Sequence, residues 1–226
     1  MRAASERRGP PDAAALDPLV EYGVGMDVSG FATRFEAELP EWVLHELESQ
    51  PEVLATDEDR MRLVNRLADR NHREGSGGPF AALVVESETG RVVSAGVNVV
   101  LKSGLSSTHA EVVTLSLAQA RLGRWDLGAA GTPPLELVVN WRPCAMCYGA
   151  TMWSGVTRLV VAGSGPELER LTGFDEGPVR DDWAEQFEAR GIEVVQDVLR
   201  DEALAVYAAY GARTDVTVYN ARAATP

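Results

Sequence analysis

Apolar positions recur along this chain with two periods, and the switches between them outline the fold. From Thr56 the period is helical, with Met61, Val64, Leu67 and Ala68 on one face. Thr56-x-x-Asp59 resembles a capping box, and Asp57, Glu58 and Asp59 load the first turn with the charge a helix N-terminus favours. Gly75 and the run Ser76-Gly77-Gly78-Pro79 end this helix. Two strand-like runs follow, Ala81–Glu86 and Arg91–Val97, with Thr89-Gly90 between them as a hairpin signal. Residues 101–108 read as a Ser-rich loop.

The helical period returns at His109, where Val112, Val113, Leu115, Leu117, Ala118 and Leu122 are apolar on most sides, as in a buried helix stopped by Gly123. Pro133-Pro134 leads into a strand, Leu135–Asn140, and a third helix runs from the Pro143-Cys144 segment through Trp153. Strand Val156–Ala162, a Gly-rich loop over 163–180, helix Asp181–Arg190, strand Ile192–Val195 and helix Asp201–Tyr210 complete the pattern. A hairpin followed by alternating helices and strands predicts an α/β fold: a three-layer α/β/α sandwich around a five-stranded mixed sheet.

Before Thr56 the pattern weakens. Residues 1–18, rich in Ala, Arg, Pro and Asp, read as a disordered tail. Phe31, Phe35, Leu39, Trp42, Val43 and Leu47 approximate a helical stripe broken by Pro40, which makes 19–55 an N-terminal helical extension of two short helices. The main domain is then 56–212, with 213–226 as a C-terminal tail.

Composition narrows the partners. The 226 residues are 45% hydrophobic and 24% charged, which is ordinary globular composition, but the net charge is −13. A surface this acidic repels phosphate, and the one dense basic run, Arg2 to Arg8, lies in the tail, so no nucleic-acid partner is expected. The balance favours a small, neutral or cationic substrate. No apolar h-region follows Arg2, Arg7 and Arg8, and no apolar run is long enough to span a bilayer, so neither a signal peptide nor a membrane partner is expected. The chain holds two Cys, three positions apart, which builds no disulfide framework and points to reduced thiols in the cytoplasm.

The chemistry gathers on two short pieces, Thr108-His109-Ala110-Glu111 and Pro143-Cys144-Ala145-Met146-Cys147. Cys144 and Cys147, at i and i+3, put both sulfurs on one face of a helix start, where the helix dipole favours thiolates. His109 sits at another helix start. One imidazole and two thiolates make the three-ligand set of a catalytic zinc site, one Zn²⁺ per chain, with an open position for water or hydroxide. Glu111, two residues after His109, can point into that position and relay a proton to a leaving nitrogen. Cys-x-x-Cys alone also occurs as a redox pair, as half of a structural zinc site, or as two ordinary buried Cys. A structural site wants a fourth protein ligand, and His45 and His72 have no ligand-like spacing and read as lying on solvated helix faces.

The pattern H-x-E…P-C-x-x-C makes the chain resemble the cytidine deaminase-like superfamily. Within it, the look is that of the bacterial zinc-dependent guanine deaminases. The stretches that carry this are Gly77-Gly78-Pro79-Phe80-Ala81-Ala82-Leu83, Ala95-Gly96-Val97-Asn98, the two metal segments, the run to Trp153, and Gly173-Phe174-Asp175-Glu176. The resemblance implies zinc on His109, Cys144 and Cys147 and Glu111 as proton shuttle. It implies that Phe80 stacks on a heterocycle, that Asn98 bonds a ring nitrogen or carbonyl, and that Asp175 or Glu176 meets the guanidine-like edge. Ala110 and Trp153 join the substrate set. It also implies a homodimer with an exchanged C-terminal segment, in which Tyr219 closes the partner's site. Three features depart from the family: Asn140-Trp141-Arg142 where Ser-Cys-Glu is usual, Leu105-Ser106-Ser107 before the His, and the first 50 residues.

The expected reaction is hydrolytic deamination of a small aminated heterocycle, guanine to xanthine and ammonia. Cytosine, guanosine and ammeline stay open as substrates. A tRNA adenosine deaminase and a non-catalytic zinc-binding interaction protein are the remaining alternatives.

Overall fold

The computed structural model describes residues 26–220. The expected tail over 1–18 and the last residues, 221–226, lie outside the described residues. The chain divides into two units, residues 1–35 and 36–226. In the first, the described part has a turn in which Phe31 N–H donates to Val28 O at 3.0 Å, and no helix or strand. Among the described residues, all regular elements belong to the second.

Helix α1 (Glu41–Glu48) starts directly after Pro40, the residue that interrupts the stripe. Among the described residues of the expected helical extension it is the one helix, and residues 30–40 are irregular. Glu46 bridges to Arg66 and Arg70, each at 3.0 Å, and Arg70 lies over the Trp42 ring at 4.7 Å, which ties α1 to α2 (Asp57–Glu74). The expected cap of α2 is present: Asp59 N–H donates to Thr56 Oγ1 at 3.1 Å, and Gly75 closes the helix at φ 75°. Such a cap contributes roughly 1 kcal/mol.

Strands β1 (Ala81–Glu86) and β2 (Val92–Val97) form the hairpin. Then come α3 (Val100–Ser103), α4 (Ala110–Leu122), β3 (Leu135–Val139), α5 (Ala145–Ser154) and β4 (Arg158–Val161). The chain ends with α6 (Glu167–Thr172), α7 (Trp183–Glu188), β5 (Glu193–Val195) and α8 (Arg200–Gly211). The sheet order is β2-β1-β3-β4-β5, antiparallel across β1 and parallel from β3 to β5, the mixed five-stranded sheet expected. Its two faces carry two cores. Leu83 and Val85 point toward α2 and α8, packing with Met61, Leu67 and Tyr207. Ala82 and Val84 point the other way, toward α4 and α7, packing with Leu115, Leu137 and Phe187. Each such buried side chain contributes about 1.5–3 kcal/mol.

Two expected loops hold helices. The Ser-rich loop begins in α3, and the Gly-rich loop contains α6, which starts behind Pro166 and packs Leu168 into the core. His72 also corrects the sequence reading. It is buried at 4% exposure at the end of α2, edge-on to Tyr210, whereas His45 is exposed as expected. Among the described residues no helix is long and apolar enough to cross a membrane.

Register brings the chemistry to one end of the sheet. Ala81 pairs with Val97, and Ala82 with Val139. The start of β1, the end of β2 and the end of β3 therefore lie side by side, with Phe80, Asn98 and Asn140 just beyond them.

Candidate active site

His109 and Cys144 are the N-cap residues of α4 and α5, both in extended conformation (ψ 157° and 170°). Neither side chain caps its own helix, so both are free to face a ligand. Cys147 follows one turn into α5 and is fully buried. The ligand atoms of His109, Cys144 and Cys147 all lie within 4.8 Å of one another, and Cys144 Sγ is 3.5 Å from His109 Nδ1. Zn–S and Zn–N bonds of about 2.3 and 2.0 Å at a tetrahedral angle place such a pair roughly 3.5 Å apart, so the set fits zinc.

The electrostatics describe a site built around a cation. A hydrogen bond from Cys147, against the cost of burial, holds the Cys144 thiol down at about 4. The Cys144 thiolate, with burial, pushes Cys147 well up. Burial and then the same thiolate raise Glu111. Burial opposes charging of His109, but Cys144 and Glu111 outweigh it and raise the imidazole. Burial, Cys144 and Glu111 lift Glu176 to about 8. Too many acids share one dry space, and a divalent ion on the two sulfurs and the imidazole relieves them all.

Beside the triad lies a cavity of about 270 Å³. Phe80, Glu111, Asp175, Glu176 and Tyr219 line it, Tyr219 in its own chain's cavity and not in a partner's. Glu176 is buried, whereas Asp175 is exposed and accepts from the Gly177 N–H at 2.7 Å, so Glu176 is the carboxylate presented inward. Tyr219 lies in the pocket of its own chain, its ring 6.5 Å from that of His109, and its hydroxyl accepts from Gly78 N–H at 3.1 Å. Asn98 is buried but does not line the cavity; its Oδ1 accepts from Val100 N–H at 3.2 Å and its Nδ2 has no partner among the described residues. Ala110 is buried in the start of α4, outside the lining. Trp153 is not brought to the site: it is 84% exposed at the end of α5.

The structure adds residues the motifs did not mark as site residues. Phe174 stands 5.4 Å from Phe80 and 4.8 Å from Tyr219, ring to ring, in an aromatic wall. Asn220 also lines the cavity, and its amide brackets the loop that carries Glu176, donating to Gly173 O at 2.7 Å and accepting from Asp175 N–H at 3.1 Å. Trp141 and Arg142, the departures before Cys144, are both in the wall.

Residues 54–163 match the family model of the cytidine and deoxycytidylate deaminase zinc-binding region. The solved guanine deaminase from Nitrosomonas europaea is 43% identical, with a TM-score of 0.75 over 80% of this chain and 97% of that one. The chain belongs to the cytidine deaminase-like family. Within this family it is also similar to a mutant of NE0047 in complex with 8-azaguanine, at 43% identity and a TM-score of 0.74 over 80% of this chain and 97% of that one. The probable cytosine deaminase of Schizosaccharomyces pombe is 30% identical over 55% of this chain and 70% of its own length. The chain spans only 17% of the tRNA(Ile)-lysidine synthase of Deinococcus deserti, which it matches at 33% identity over 98 residues. The matched family region contains all three ligands, so the metal that His109, Cys144 and Cys147 are placed to hold is zinc.

Proposed function

We propose that this family member is a hydrolytic deaminase whose first substrate is guanine, converted with water to xanthine and ammonia. The observation that carries the reading is a pair of buried carboxylates, Glu111 and Glu176, that line with His109 and Cys144 a cavity of about 270 Å³. That is slightly below the roughly 300–1,000 Å³ of drug-sized pockets, and it suits a single base better than a nucleoside or a tRNA. The net charge of −13 also disfavours a nucleic-acid substrate. Similarity to guanine deaminase supports guanine over cytosine.

Zinc, when bound, activates a water for attack on the amino-bearing carbon. The chain's own residues do the rest. Glu111, its carboxyl raised by burial, takes a proton and delivers it to the departing nitrogen. Glu176 accepts hydrogen bonds from the N–H edge of the base. Phe80, Phe174 and Tyr219 pack on its faces and exclude water. The free Nδ2 of Asn98 supplies a donor for a ring nitrogen.

We also propose a homodimer. Its support is an exposed apolar line on α5, Met146 at 39% and Trp153 at 84% exposure. Two free thiols suit the reducing cytoplasm.

Ammonia release from guanine, cytosine, guanosine, ammeline and a tRNA tests the reading. Guanine is expected to be the best substrate. No ammonia from any of them, with one zinc bound per chain, would show a zinc-binding protein instead.

A further inference from the structure

Arg142 is the one permanent cation among the described residues that line the cavity; its charge acts on Glu176, but its side chain makes no hydrogen bond among the described residues. It forms no ion pair within the described residues, and its Nε is buried without a hydrogen-bond partner. Leaving a buried donor unmade costs free energy, more so for a charged group, unless a ligand takes it up.

The backbone that presents Arg142 is held on both sides. Its N–H donates to Gly163 O at 2.8 Å. The preceding Trp141 ring is clamped edge-on by Tyr207 at 5.4 Å and covered by the Arg200 guanidinium at 4.9 Å. Pro143 follows with its fixed φ, and Cys144 is a metal ligand. The guanidinium is thus delivered to the wall by a fixed backbone and is left free at its tip.

Around it, the other charged groups of the cavity are acids: Glu111, Asp175 and Glu176, with the Cys144 thiolate. Ionised, they accept from the N–H edge of an amino-heterocycle, and none of them carries a permanent donor for its oxygen. They also repel an anion, so the acceptor that Arg142 meets belongs to a neutral ring. Asn220 is committed to Gly173 and Asp175, and the Tyr219 oxygen to Gly78.

We infer that Arg142 is a specificity-determining residue that donates to the oxo group of the bound base, and so selects amino-oxo heterocycles over amino-heterocycles lacking the oxygen. This rests on the base-deaminase reading of the site. A guanidinium hydrogen bond to an otherwise unpaired acceptor is in the range that gives about 10- to 100-fold in affinity.

The test compares two ligands in the zinc-loaded enzyme: 8-azaguanine, which keeps the oxo group, and 2-aminopurine, which keeps the amino group and lacks it. Arg142→Gln should weaken 8-azaguanine binding by about 10- to 100-fold and leave 2-aminopurine within about twofold. Arg142→Lys, which keeps charge but loses the planar fork, should fall between. Equal losses on both ligands, or none on either, would overturn the inference. The thermal midpoint of each variant reports whether it folds, and Arg142→Lys keeps the comparison open should Arg142→Gln not fold. Because binding is read directly, the result stands apart from turnover: wild-type enzyme that releases no ammonia from guanine would refute the parent reading, and an unchanged ligand ratio would refute only this one.

Discussion

Gly78 and Tyr219 are 141 positions apart, yet the Gly78 N–H donates to the Tyr219 hydroxyl at 3.1 Å across the cavity rim. The bond joins the turn before β1 to the C-terminal segment, and it requires glycine at one end. A Cβ on Gly78 would stand 2.7 Å from the Tyr219 hydroxyl and 3.0 Å from the rings of Phe80 and Phe174. Gly78→Ala should therefore splay the aromatic wall and raise KM for the base about tenfold or more, with a stability loss of about 1–3 kcal/mol. Tyr219→Phe removes only the hydrogen bond, about 1 kcal/mol, and should raise KM a few-fold. Steady-state ammonia assays with urea unfolding check both.

Glu111 is buried and lines the cavity with His109 and Cys144 but is not one of the three residues placed to hold the ion. Glu111→Gln keeps the volume and removes the proton acceptor. One zinc per chain should remain by elemental analysis, while kcat falls by about 10²- to 10⁴-fold. A variant with near wild-type turnover would refute the proton-relay role.

Removing zinc should make the contribution of Glu176 to stability pH-dependent in a defined direction. Without the ion, burial and the Cys144 thiolate hold Glu176 at about 8, above its ordinary value of 4.5. A carboxyl raised on folding contributes stability that is complete below the unfolded value and is lost as pH rises through the folded one. Glu111 is raised in the same direction. Cys144, held at about 4, acts in the opposite sense over the same range, so the Glu176 part is read as a difference. With zinc chelated, the thermal midpoint of the wild type should fall from pH 6 to 8 relative to that of Glu176→Gln, and with zinc bound it should not. Parallel thermal midpoints for chelated wild type and variant across that window would contradict the electrostatic account.

How much of this was legible beforehand depended on how local each relationship is. The metal set was readable because each piece is one helix start: a cap residue and a position one turn on. Glu111 was readable for the same reason. The sheet order followed from hairpin and crossover rules, and Thr56 capped the helix it was expected to cap. Trp153 misled because it stands near the motif in sequence. It lies nine residues past Cys144, about two and a half turns, which faces it away from the metal. Phe174 and Asn220 reach the cavity through tertiary packing of distant segments, with no period to announce them, whereas Arg142 is carried there by its place two residues before Cys144. Helix α6 hid among Gly and Pro, and the burial of His72 depends on Tyr210, far along the chain.

The opposite end of β3 carries a buried charge network that should matter for stability alone. Glu136, with a fully buried side chain, accepts from Arg60 and Arg158 at 2.6 Å each, and Arg158 also bridges Asp57 at 2.6 Å. Glu136→Ala would take the buried partner from both guanidinium groups and leave them to share Asp57, at a cost of about 3 kcal/mol. Glu136 pairs with Val85, far along β3 from Asn140 and the cavity. Urea unfolding should show the loss, and KM for the base should stay within about twofold of wild type.

The C-terminal segment offers the sharpest test of assembly. Met146, Gly149 and Trp153 fall at i, i+3 and i+7, on one exposed line of α5. If this line forms the dimer contact, sedimentation velocity should show a dimer in the wild type and a monomer in Trp153→Asp. Tyr219 sits in the cavity of its own chain, held by Gly78 and by Phe174 at 4.8 Å. In that arrangement every chain carries its complete site, and the Trp153→Asp monomer should keep most of its kcat/KM. Mixed dimers settle the exchange. One chain carries Glu111→Gln and the other Tyr219→Ala. With the segment in its own chain, both sites stay impaired, and mixing adds no activity beyond that of the Tyr219→Ala chain. With the segment exchanged, the chain that retains Glu111 receives an intact aromatic from its partner, and mixing restores about half of wild-type activity per mixed dimer, since one of its two sites is complete. The Gly78–Tyr219 bond within one chain leads us to expect no restoration.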